Sequence, residues 1–294
     1  PRSTSVRSSA ASDVYKRQFF IGLMGSFTYA HNEIIDKDEP LGTIGTTRAE
    51  TGHPVGQIFG YVHDRLFTED DFKDVENGVL KDGVPKQTFT AKVRPGDIKY
   101  VDLDKNGFID TYDQMAIGGT ENPEIVYGFG VNLRWKELDF GAMFQGIGRT
   151  WRILSSNIMP ASNKGSMYNI FDNYQDRWTV DNQSQDVFYP RADYGPNANN
   201  SQKSTWWLRN MSFLRLKNLE LGYSCPKKWL QGFVISNARV FVRGTNLLTF
   251  SKFNLWDPEL ATGDGAKYPA MKSVSVGFDL SLIHISEPTR LGMI

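Results

Sequence analysis

The sequence predicts an all-β chain, a fragment of an antiparallel transmembrane β-barrel with about six long strands and long extracellular loops. Three observations predict it. Residues 125–148 alternate with period two over two runs of about ten residues, longer than the five or six of an average soluble strand. One face of each run is apolar and the other mostly small or polar, with aromatics near the ends. Strands of about 9–11 residues with that patterning suit a bilayer. The connections between strands are alternately long and short, which a soluble sandwich has no reason to produce.

Strand one is read over Phe19 to Asn32. Phe19, Ile21, Leu23, Phe27 and Tyr29 share one parity; Gly22, Ser26, Thr28 and Asn32 share the other, where Met24 is an exception. A polar segment, Glu33 to Pro123, follows, with one quasi-regular patch at Gly56 to Val62. A loop this long is usually functional. Strands two and three form a hairpin about Lys136-Glu137, with Ile125, Tyr127, Phe129, Val131, Leu133 and Trp135 on one apolar face. Leu138, Phe140, Ala142 and Phe144 continue that pattern after the turn. Arg149 to Ser204 is a second long polar segment. Strand four is placed at Trp206 to Tyr223, and its phase slips at Lys217-Asn218, which a β-bulge would repair. Strand five runs from Arg239 to Phe250; Phe241 and Leu247 spoil its polar face. Strand six, Met271 to Ser281, alternates most cleanly, with Val274, Val276, Phe278 and Leu280 against Ser273, Ser275, Gly277, Asp279 and Ser281. If strand six ends at the periplasm, every long segment lands outside. Six strands cannot close a useful barrel, and open edges in lipid are not viable, so further strands are expected from a missing N-terminal part.

The ends of the chain break these patterns. Residues 1–18 and 282–294 resemble adapter read-through at the ends of metagenomic reading frames. They are set aside, leaving 19–281 as a C-terminal barrel segment.

The bulk composition excludes some classes. The 294 residues carry a formal net charge of zero, so no nucleic-acid surface is indicated. A single cysteine, Cys225, rules out an intrachain disulfide and a cysteine-based zinc site. No stretch reaches the roughly 18 consecutive apolar residues of a transmembrane helix, which says nothing against a barrel.

One motif carries recognisable chemistry. Asp102 to Asp113 reads DLDKNGFIDTYD, with oxygen side chains at Asp102, Asp104, Asn106, Asp110 and Asp113, and Gly107 where a calcium loop turns sharply. Phe108 would offer its carbonyl. These ligands suit a hard cation, Ca2+. Asp113 stands where such loops usually have Glu, and the preceding residues look extended, so this is the loop without a helix-loop-helix frame. An ion-free Asp/Asn/Gly turn is the other reading. Trp151 and Trp178 are divided between sugar-stacking platforms and girdle or loop-core positions; Trp206 and Trp207 are assigned to the girdle. The histidines form no metalloprotease-type array, Gly128-Phe129-Gly130 lies inside a strand rather than before a helix, and Cys225 has no histidine near it in sequence. No enzyme is expected.

Five stretches together carry a family resemblance: GQIFGYV (Gly56 to Val62), RPGDIKYVDLDKNGFID (Arg94 to Asp110), ENPEIVYGFGVNLRWKELDFGAMFQGIG (Glu121 to Gly148), FLRLKNLELGYSCPKKW (Phe213 to Trp229) and ARVFVRGTNLLTFSKFNLWDPE (Ala238 to Glu259). In that order they resemble the C-terminal part of SusC/RagA-like TonB-dependent outer-membrane transporters of Bacteroidetes. The resemblance implies a barrel of about 22 strands with a plug domain. It also implies a place in the cell outer membrane, in contact with its lipid. Import of glycan oligosaccharides or peptides is implied, with a SusD-like surface lipoprotein as partner and energy from TonB through the missing N-terminal part. The alternative is a soluble calcium-binding β domain that recognises glycans.

Overall fold

The structure, a computed structural model, describes residues 19–155, 171–193, 197–232 and 234–282. The expected read-through segments fall outside these residues except for Leu282, which pairs with Ile235 at the end of the last strand.

Six long strands form one antiparallel sheet. They are β1 (Phe19–Tyr29), β2 (Ile125–Trp135), β3 (Leu138–Gly148), β4 (Phe213–Ser224), β5 (Ile235–Ser251) and β6 (Ser273–Leu282). Each pairs with its neighbour in sequence, so the sheet is a meander whose outer strands, β1 and β6, are each paired on one side. No α-helix occurs among the described residues. The β2–β3 hairpin turns at Lys136-Glu137 as the sequence predicts, with Lys136 at φ 54°.

The register aligns one continuous apolar face. Phe27 stands opposite Tyr127, Leu23 opposite Val131, Phe140 opposite Leu221, Val242 opposite Val276 and Val240 opposite Phe278. Much of this face is open: Leu23 is 80% exposed, Phe278 70% and Val274 69%, while Tyr127, Val131 and Phe140 in the middle of the sheet are half-buried. A water-facing sheet would not present so many large apolar groups contiguously. The bulge expected at Lys217 is present, since Leu216 pairs with Phe144 and Asn218 with Met143. On β5 the same irregularity takes up Asn246 and Leu247.

The two exceptions on β5 have physical explanations. Leu247 lies in the bulge and folds over Gly244, which belongs to the apolar parity. Phe241 stays on the polar face, its ring laid over Gly277 and flanked by the Arg239 and Arg243 guanidiniums at 5.0 and 5.2 Å. Cation–π contact lets an aromatic sit among charges.

The long connections, after β1, β3 and β5, gather at one end of the sheet and share a core. Tyr61, Leu66, Ile98, Tyr100 and Ile109 come from the first, Leu154, Trp178, Tyr189, Trp206, Trp207 and Met211 from the second, and Phe253 from the third. Strand four is therefore shorter than the sequence suggests. Its expected first residues, from Trp206, belong to this loop body, and Leu208–Asn210 pairs with Trp151–Ile153 instead. Trp206 and Trp207 are 8% and 1% exposed inside the core, so the girdle assignment of both is corrected. The tryptophan pair marks the wall of a folded loop body, which sequence alternation alone does not distinguish from a strand start.

Candidate functional site

The acidic loop leaves the short strand Ile98–Tyr100 and closes at a single 3-10 turn, Thr111–Asp113. Gly107 takes φ 87°, a conformation that favours glycine, at the position where the sequence predicts the sharp turn. Asp102, Asp104 and Asp113 come together, each offering a carboxylate oxygen within 4.8 Å of the others. Backbone amides orient them. Asp102 Oδ2 accepts from Gly107 N at 2.8 Å, Asp104 Oδ1 from Asn106 N at 3.0 Å, and Asp113 Oδ1 and Oδ2 from Leu103 N and Asp110 N at 2.7 and 2.8 Å. Asp102 Oδ1 is buried and has no hydrogen-bond partner. Burial pushes the Asp113 carboxyl above its ordinary value, and the negative charge of Asp104 adds to the rise against the backbone donors.

The other expected ligands stand less directly. Asn106 donates from Nδ2 to Asp104 at 2.9 Å while its Oδ1 accepts from Phe108 N. Asp110 Oδ1 accepts from Tyr112 N and caps the 3-10 turn. The Gly107 and Ile109 carbonyls accept from Lys86 and Thr88, so by strand alternation the Phe108 carbonyl points to the opposite side. The buried orphan oxygen of Asp102 and the all-oxygen donor set fit a hard cation.

The loop body around this site is organised by a buried carboxylate. Asp97 is fully buried and accepts from Arg191 Nε at 3.1 Å, Asn197 Nδ2 at 3.0 Å and Asn200 Nδ2 at 2.9 Å. It thereby joins the first long connection to the second. Burial raises its pKa, with Arg191 opposing the rise. Trp178 is 5% exposed in the same core, with its six-membered ring against Gly96. Trp151 is half-buried and covers Gly118 and Gly119. The third connection is held by Arg215 of β4, which is 1% exposed, donates to Glu259 at 2.7 Å and also pairs with Asp257. Sequence reasoning missed Asp97 and Arg215. The one available signal for Arg215 was an arginine on the polar parity of a strand facing an Asp-Pro-Glu loop.

The polar face of the sheet holds a second charge cluster near the β2–β3 turn. Arg239 pairs with Asp139, Glu220 and Asp279, and Arg243 with Glu220. The two guanidiniums are shared among the three carboxylates, and the groups leave no nucleophile–base arrangement among them.

No family model matches the chain. The chain is 31% identical over 259 residues to TonB-dependent receptor P26 of Formosa agariphila, covering 83% of this chain and 24% of that protein. TonB-dependent receptor P3 of the same organism is 29% identical over 71% of this chain and 19% of its own length. TonB-dependent receptor SusC of Bacteroides thetaiotaomicron is 24% identical over 67% of this chain and 19% of its own length. Among solved structures, the RagAB peptide importer in its open-open state superposes with a TM-score of 0.63 at 25% identity, covering 92% of this chain and 27% of that one. The RagAB peptide transporter gives 0.61 at 27% identity. The chain thus spans about a quarter or less of the length of the proteins it matches.

Proposed function

We infer that this chain, a SusC/RagA-like segment of a TonB-dependent receptor, forms part of the wall and mouth of an outer-membrane nutrient importer. The observation that carries the inference is the continuous apolar face of six long strands, with large side chains exposed along it, joined to a folded body made from all three long connections. Lipid takes the place of the missing cover on that face. Large side chains such as Leu23, Phe27 and Phe278 then lie in a hydrocarbon layer, where they cost nothing. In the soluble calcium-binding reading they would all face water.

The work of such a protein is binding and gated passage, with no bond chemistry. The loop body lies at the outer mouth, where a SusD-like lipoprotein would meet it, and the cargo is an oligosaccharide or a peptide. Energy for passage would come from TonB. In the acidic loop, Asp102, Asp104 and Asp113 would hold a calcium ion, with Asn106, the Phe108 carbonyl and Asp110 as nearby oxygen donors. The ion would relieve the repulsion among three carboxylates and fix the loop. Trp151 would contribute to the cargo region through its exposed part, and Trp178 by supporting the loops around it.

Fractionation tests the inference. The full-length gene product is expected in the detergent-extracted outer membrane, with heat-modifiable mobility. Recovery as a soluble periplasmic or secreted protein would sink it.

A further inference from the structure

We propose that the open edge of the short strand Gln57–Tyr61, with the cleft beside it, binds the main chain of an extended peptide. The proposal deepens the import reading and rests on it for the peptide's role as cargo. The edge is defined by Tyr61. Its N–H donates to the Lys203 carbonyl at 2.9 Å and its carbonyl accepts from Thr205 N at 3.0 Å. Both groups therefore point away from the ladder that the strand makes with Gln114–Thr120. Backbone direction repeats every second residue along a strand, so the N–H and C=O of Phe59 point the same way.

Among the described residues, the segment that pairs with Tyr61 does not extend to Phe59. Its one bridge is Tyr61 with Ser204, and before Lys203 the chain turns, Gln202 N donating to Asn199 O. Beside Phe59 lies a cleft of about 720 Å³, lined by Gln57, Phe59, Gln114, Glu121, Gln202 and Lys203 among others. Its size is within the roughly 300–1,000 Å³ of small-molecule sites. A strand edge that presents an N–H and a C=O to an open cleft offers the pairing by which extended peptides are bound. A sugar has no amide N–H and carbonyl to complete that pairing.

The side chains fit a peptide too. Gln57 commits its Nε2 to the Ile58 and Ile117 carbonyls, and Gln202 commits its Nε2 to Ala198 O. Their Nε2 donors being engaged, the part of each amide that remains for a ligand is the oxygen, an acceptor. Glu121, held by Arg152 at 3.0 Å, and the exposed Lys203 supply both signs of charge, which favours no strongly charged ligand over a mixed one.

The test uses full-length protein in detergent and short fluorescent synthetic peptides of mixed charge. The wild type is expected to bind the peptides, and the same peptides with N-methylated backbones about tenfold more weakly, because they cannot pair with the edge. Gln202→Trp, which fills the cleft, is expected to weaken binding of the unmodified peptides by at least about tenfold without altering outer-membrane insertion. A photo-crosslinker at position 202 should capture the peptides, and malto-oligosaccharides should not compete. Equal binding of methylated and unmethylated peptides, or competition by the sugars, overturns the proposal. Since both protein forms are first recovered from the outer membrane, such a result leaves the import reading standing; failure to reach that membrane would overturn the import reading instead.

Discussion

Arg239 on β5 reaches Asp139 on β3 across the full width of β4: Nε donates to Oδ1 at 3.0 Å and Nη2 pairs with Oδ2. The guanidinium passes over Gly222, where an added Cβ would lie 2.4 Å from Nη2 and 2.6 Å from the Asp139 carboxylate. A side chain there would push the pair apart. Gly222→Val is therefore expected to destabilise the sheet by about 1–3 kcal/mol, the scale of a lost charge-assisted hydrogen bond. Arg239→Met should cost a similar amount by leaving Asp139 and Glu220 facing each other without their shared cation. Urea denaturation in detergent, followed by tryptophan fluorescence, reads both. No loss of stability in either variant would show that the cluster is ornamental to the fold.

The parity of β6 gives a second test. Val276 stands opposite Val242 on the bare apolar face, and Ser275 opposite Arg243 on the polar face. An arginine near the middle of the lipid face costs about 2–4 kcal/mol. Val276→Arg should impair assembly of the full-length barrel, whereas Ser275→Arg should assemble, since position 275 lies on the polar face opposite Arg243 and away from lipid. Heat-modifiable gel mobility separates the two. If both assemble alike, the assignment of faces is wrong.

The long strands were legible because a barrel wall has one constraint along its whole length, apolar outside and small or polar inside. Even the slip at Lys217 showed as a change of parity. The loop body was not legible, because its core is assembled from residues far apart in sequence. Tyr100, Trp207 and Phe253 meet in space with no shared period. Trp206 and Trp207 looked like strand because aromatics precede a strand in both architectures. The acidic loop was legible as a spacing of oxygens, and the geometry then separated Asp102, Asp104 and Asp113, which converge, from Asp110, which caps a turn. Asp97 gave no signal of its burial, since a carboxylate buried by long-range partners looks like any turn aspartate.

The loop body should weaken in mild acid through His63. Its Nδ1 lies 2.6 Å from Thr205 Oγ1, and its ring meets Trp206 edge-on at 5.3 Å. Burial lowers its pKa below the ordinary value, and Arg209 adds to the fall against Asp64. A depressed histidine pKa means that the unfolded chain takes up the proton first. The stability this residue contributes is fully present above an unfolded pKa of about 6.5 and is lost as pH falls through the lower native value. Limited proteolysis of the 61–66 segment should accelerate over that window, and His63→Gln should flatten the dependence. An unchanged pH profile in the variant would assign the effect to other groups.

Calcium gives the last prediction. Asp102, Asp104 and Asp113 hold oxygens within 4.8 Å of one another, and Asp113 is buried, so the three charges repel in a poorly solvated setting. A bound cation relieves that repulsion, and its removal should loosen residues 96–113 while the long strands, which share none of these groups, stay assembled. Asp104 is the exposed member, and its loss removes one ligand without opening a cavity. Asp104→Ala should therefore weaken calcium binding while leaving outer-membrane insertion unchanged. At an extracellular site a dissociation constant on the order of 10⁻⁴–10⁻³ M is sufficient. Calorimetric titration of chelated full-length protein, paired with proteolysis of the loop, reads the ion and its effect together. If the wild type gains no protection of residues 96–113 in millimolar calcium, the carboxylates serve only as acceptors for the backbone amides of Leu103, Asn106, Gly107 and Asp110. The loop is then an ion-free turn, and the barrel assignment, which rests on the apolar face, is untouched.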